Sequence, residues 1–258
     1  MTPRDDLGMK PLPLRYPIVR TSCVLIGLGV PGVLSLLLAL PEIAGVPRWA
    51  LLINPAIFLI AAAFIGSWAA PRCGLRSLVA DRVAGIDRRF SARDLAATLA
   101  VGTVLGLFVA FFDEMTAPLW QGSSNIPALG SAWSPVVLLF GVLYGGIVEE
   151  IMMRWGVMSL VVWVIWRLAA RSSPVPTRWV LVIGAVVSAV LFAAGHLPAA
   201  AASGDLTLPL VLRIVGLNAV VGLVLAFLFA TRNLESAISA HMGFHVGVAV
   251  AALFLAIL

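Results

Sequence analysis

The chain has 258 residues, of which 61% are hydrophobic and 11% charged, with a net charge of +5. Soluble domains hold roughly 25% charged residues, so water is not its main solvent, and a mean hydropathy of +1.06 agrees. Despite a pI of about 10.2, no nucleic-acid partner is expected, because the basic residues flank apolar stretches where anionic headgroups and topology account for them.

The first apolar run, Ile18 to Leu40, outlasts the 7–15-residue core of a secretory signal and reads as a retained span. Six more follow, at about 49–70, 95–115, 134–155, 179–197, 208–230 and 235–257; runs of about 18 or more apolar residues are long enough to cross a bilayer. Ser134-Pro135 opens the fourth with an N-cap and a proline where its missing N–H costs nothing. The apolar stretch Gly156–Trp166 is a short eighth span, a continuation of the fourth helix or an interfacial helix. If it does not cross, Arg4, Lys10, Arg15, Arg20, the arginines from Arg72 to Arg93, Arg167, Arg171, Arg178 and Arg232 share one side, opposite Arg48. By the positive-inside rule, this favours seven spans with a cytoplasmic N-terminus in a plasma membrane. The expected fold is therefore an all-α polytopic bundle, one membrane domain over 1–258. Residues 1–115 form three generic spans with an arginine-rich cytoplasmic loop at 71–94, read as a topology determinant on anionic lipid. Cys23 and Cys73 lack metal or disulfide spacing.

Ionisable groups at mid-membrane cost about 2.5–3.5 kcal/mol, so the few present are informative. Glu149 and Glu150 lie in the fourth span. Glu150 and Arg154, four apart, pair on one helix face, whereas Glu149 points about 100° away and is free for acid–base work or simply wet. His196 closes the fifth span, and Leu197-Pro198 after it suggests a helix break. His241 and His245, four apart, share a face of the last span; metal-binding helices use that spacing, as do polar stripes. All three histidines of the chain sit in or beside apolar helices, which is the strongest residue-level argument for a site. Arg213 is expected to snorkel, Asp113 and Glu114 to be solvated, and Trp120 and Trp133 to anchor at the interface.

Glu149-Glu150-xxx-Arg154, Phe192-xxx-His196 and His241-xxx-His245, in this order, resemble the CPBP family, which includes the type II CAAX prenyl endopeptidases. The family pattern is EExxxR, FxxxH and HxxxN or HxxxD, and the resemblance covers about 134–258. It implies an intramembrane endopeptidase in which Glu149 activates water, Glu150 pairs with Arg154, His196 and His241 complete the site, and Phe192 lines it. The departure is His245, where the family has asparagine or aspartate. It could donate to an oxyanion, or join His196, His241 and a glutamate in a zinc set, or mark lost activity. The cofactor is thus open between zinc and none. Expected partners are membrane lipids and a peptide or protein substrate near the membrane. The alternatives are a non-catalytic scaffold or immunity-type protein retaining the polar site and, more distantly, a proton-relay transporter. Arginine outnumbers lysine sixteen to one, which hints at a high-GC bacterium, where prenylated CAAX proteins are not expected. Depth raises a conflict: the expected spans put Glu149 and His241 towards the arginine-rich face and His196, roughly 27 Å along its helix, towards the other.

Overall fold

The computed structural model describes residues 16–39, 45–88, 91–121, 126–131 and 133–257. Arg4, Lys10, Arg15 and Arg89 of the charge argument, and Leu40, lie outside the described residues. Among the described residues the regular structure is all helical. Seven helices are long and apolar enough to cross a membrane.

In chain order they begin with α1 (Ile18–Ala39) and α2 (Ile53–Arg72), the latter entered through a 3-10 turn at Arg48–Leu52. The arginine-rich segment carries the short α3 (Leu78–Val83), capped by the Ser77 hydroxyl on Ala80 N–H. Helix α4 (Ala92–Trp120) follows. Next comes a 35-residue rod, Pro135–Ala169: α5 (Pro135–Phe140), wide π-type turns over Gly141–Glu149 and Ile151–Met158, and α6 (Ser159–Ala169). The Ser134 cap forms as expected, accepting from Val137 N–H at 3.1 Å. Helix α7 (Arg178–Ala194) breaks at Gly195-His196 into α8 (Leu197–Ala201), and α9 (Leu208–Thr231) and α10 (Leu234–Leu255) complete the bundle.

The stretch Gly156–Trp166 thus continues the fourth helix, and this brings Glu149 to the level of His196. Glu149 stands 20 residues before Ala169, roughly 30 Å along a helix, about as far as His196 stands from Arg178. Val162 packs on Gly184, so rod and α7 run in step and carry both residues to one level.

Outward faces are apolar, with Val104, Phe108, Leu212 and Phe227 more than 60% exposed, as a lipid-facing surface requires. Between helices, small residues permit backbone contact. A Cβ on Gly102 or Gly106 of α4 would fall 1.8 Å from Ala240 O or 2.1 Å from Phe244 O of α10. Gly243 and Gly247 of α10 press on Leu99 O and Thr103 O in return, each at 2.2 Å. At its start α10 is held by Glu235, whose carboxylate accepts from Ser77 Oγ (2.6 Å), Leu78 N (2.8 Å) and Val79 N (3.0 Å). Cys73 is a free thiol, and burial pushes it up to about 12.

Four residues expected at the surface lie wholly or partly inside the bundle. Arg213 does not snorkel: its Nε and Nη2 donate to Asp113 Oδ1 and Oδ2, both at 2.7 Å, and Asp113 is fully buried. Asp113 Oδ2 also accepts from Leu129 N at 2.8 Å. The reason is helix length, since α4 runs to Trp120 and leaves Asp113 about two turns inside it. Trp120 is 3% exposed and lies 4.0 Å under the Arg213 guanidinium, a cation–π contact rather than an interfacial anchor. Glu114 is half-buried, with Oε2 shielded from solvent.

Candidate active site

A cavity of about 470 Å³ lies between the rod, α7, α9 and α10, roofed by Ile126, Pro127 and Leu129. Its polar lining comprises Glu149, His196, Ser203, Arg213, Asn218, His241 and His245, with Phe192 among the apolar residues. Carboxylate and imidazoles predicted from three separate segments therefore do meet.

The two neighbouring glutamates have different surroundings. Glu150 is fully buried and faces away from the cavity: Oε2 is 3.2 Å from Arg154 Nε, and Oε1 is 2.9 Å from His241 Nδ1. Arg154, also fully buried, donates from Nη1 to Ser188 Oγ (3.4 Å) and lies over the Phe192 ring at 5.1 Å. The Ser188 hydroxyl donates to Met153 O at 3.0 Å. Arg154 Nε and Nη2 and Glu150 Oε2 make no well-directed hydrogen bond, so charge holds this pair. Glu149, one position earlier and 21% exposed, projects into the cavity with Oε2 4.0 Å from His241 Nε2. The pairing expected of Glu150 and the freedom expected of Glu149 are both present in this arrangement.

Hydrogen bonding orients the imidazoles. A carboxylate only accepts, so His241 donates its Nδ1–H to Glu150 and turns Nε2 towards Glu149. By the same logic His196 donates its Nδ1–H to the Phe192 carbonyl, 2.8 Å away across one turn. The Phe192 ring meets His196 edge-on at 4.8 Å and His241 at 5.9 Å, spacing the two. His245 stacks on His241 with centroids 5.1 Å apart and 15° between planes. It is seated against glycines: a Cβ on Gly141 would lie 2.4 Å from its Nδ1 and one on Gly145 2.5 Å from its Nε2.

A zinc set of His196, His241 and His245 does not fit this arrangement. Among the described residues no group of three or more His, Cys, Asp or Glu side chains is placed to hold a metal. The His241 and His245 rings lie face to face, 15° between planes, so their in-plane lone pairs do not converge on one point.

Ser188, Asp113, Arg213, Asn218 and the two seating glycines were missed as parts of the site. Ser188 and Asn218 carried a usable signal as polar residues within apolar spans. Gly141 and Gly145 are four apart, a spacing that could have marked a close approach.

Residues 131–247 match the family described as Type II CAAX prenyl endopeptidase Rce1-like. Comparisons with curated proteins and with solved structures give no match.

Proposed function

We propose, from the premise that residues 131–247 are Rce1-like and so consistent with a CPBP-family protease, that this chain is an intramembrane endopeptidase with Glu149 as general base. One observation supports it above the rest: of two adjacent carboxylates, Glu150 is consumed by Arg154 and His241, while Glu149 faces the cavity without an arginine. A gap of 4.0 Å is too long for a hydrogen bond and suits Glu149 and His241 Nε2 to holding one water between them. Glu149 takes a proton from that water as its oxygen attacks the peptide carbonyl, then returns it to the leaving amine. Glu150 holds the His241 tautomer, and Arg154 pairs with the other oxygen of Glu150. Phe192 lines the cavity between the imidazoles. The site, the substrate class and a multi-pass topology with a cytoplasmic N-terminus belong to this reading together.

The test is cleavage of quenched-fluorescent membrane peptides by purified protein in proteoliposomes. Glu149→Gln should lower turnover by about 10²–10⁴-fold, the usual worth of a positioned base. Equal cleavage by variant and wild type would remove Glu149 from the role. A non-catalytic scaffold remains the second reading, favoured by His245, whose ring occupies the wall where the family has asparagine or aspartate. Under it, Glu149→Gln leaves cellular function intact while any cleavage disappears.

A further inference from the structure

A second cavity, of about 460 Å³, lies in the seam between α4 and α9. Phe112 and Leu119 of α4 and Leu212 and Val220 of α9 line it, and all four are exposed on the outward surface of the bundle. In a bilayer this cavity opens on acyl chains. Arg213 and Leu217 line both it and the active-site cavity, so a partition no thicker than a side chain divides the two. Two other lipid-side grooves, between α7 and α9 and between α2 and the rod, share no lining residue with the active-site cavity.

One carboxylate holds the partition. Asp113 Oδ1 and Oδ2 accept from Arg213 Nε and Nη2, both at 2.7 Å, and Oδ2 also accepts from Leu129 N at 2.8 Å. Leu129 belongs to the roof. Wall and roof are therefore tied to a single point, and release at that point frees both. The seam is also the lightly packed side of each helix, because α4 rests mainly on α10 and α9 mainly on α7. Further from the roof, Val109 of α4 packs in one cluster with Val221 and Leu225 of α9, which closes the seam there.

A peptide embedded in lipid does not reach the site through water, because withdrawing its apolar side chains from the bilayer exposes them to the hydrophobic penalty. It has to pass between two helices. We infer that the seam of α4 and α9 is that passage, with Arg213 and Leu217 as its gate and Asp113 as its latch. The substrate it admits is a peptide whose apolar segment approaches from the lipid at the roof end of the bundle. This rests on the endopeptidase reading. Neither gate residue touches a reacting atom in it; they decide what enters. Trp120, 4.0 Å from the guanidinium, gives the charge a ring face to rest on while its bonds to Asp113 open.

The experiment uses full-length protein in proteoliposomes and a quenched-fluorescent peptide with an apolar membrane-spanning segment. Gly216 lines the lipid-side cavity, and a Cβ there meets nothing within 4 Å, so Gly216→Trp can fill the passage. Gly27 on α1 is equally open and lines neither cavity, which makes Gly27→Trp the control for a bulky lipid-facing residue. Leu217→Ala thins the gate. Gly216→Trp should lower kcat/KM by about tenfold with kcat within about threefold, because bulk at a gate slows entry rather than chemistry. Gly27→Trp should match wild type. Leu217→Ala should raise kcat/KM, by about threefold, whereas a residue that only packs would lower it. Thermal midpoints are read alongside, and if Gly216→Trp melts early the sign of the Leu217→Ala effect decides. Unchanged kcat/KM in Gly216→Trp, an equal fall in Gly27→Trp, or a fall in Leu217→Ala overturns the passage. The endopeptidase reading survives that result as long as wild type cleaves and Glu149→Gln does not. Absence of turnover in wild type and Glu149→Gln alike sinks that reading and the passage with it.

Discussion

Removing Arg154 would leave the fully buried Glu150 carboxyl faced only by an imidazole. Breaking a buried pair from one side costs about 3–5 kcal/mol, so Arg154→Ala should lower the detergent-solubilised melting midpoint markedly. Glu149→Gln, in a group that borders the cavity, should leave it nearly unchanged. Comparable melting of the two variants would contradict the division of labour between the glutamates. The ion pair behind that proposal was legible in the sequence, because the pairing of positions 150 and 154 follows from helix periodicity alone. The ion pair of Asp113 with Arg213 was not: its partners stand 100 positions apart on different helices, and nothing in either local sequence names the other. Asn218 escaped notice for a related reason. A single amide in an apolar span has many structural uses, and only its place in the cavity lining singles it out.

At the scale of the helix, the crossing of α4 and α10 sets where His241 stands. Gly102 and Gly106 rest on the α10 backbone at Ala240 and Phe244, flanking the histidine on both sides. Gly102→Val should push the helices apart, swing His241 away from Glu149, and reduce cleavage by at least tenfold as well as stability. Gly216→Ala, where a Cβ meets nothing within 4 Å, should be silent in both assays. If the valine variant matched wild type in turnover, the register of His241 would not depend on this contact. Hydropathy located every spanning helix because apolar length is its signal. The wide turns from Gly141 to Met158 left no such signal, since a helix apolar on most sides shows no period from which 3.6 and wider turns could be told apart. Such turns often accompany functional sites, and here they carry both glutamates and the glycines that seat His245.

For the whole molecule, an odd number of crossings puts the two chain ends on opposite sides. Reporter fusions should place the N-terminal end, the α3 segment and residues 170–177 on the cytoplasmic side, with residues 126–131 and the C-terminal end outside. A cytoplasmic C-terminal reporter would overturn the seven-span topology. Charge asymmetry supplied that expectation, but not the cavity roof, which exists because the Leu129 amide is tied back to Asp113. The glycine crossing also bears on how the chain leaves a bilayer under load. Where side chains intervene, neighbouring helices slip past one another. Where carbonyls sit in the other backbone's grooves, sliding by even one residue collides. Pulled from its C-terminal end in a force-spectroscopy trace, α10 should drag α4 with it, the pair leaving in a single rupture.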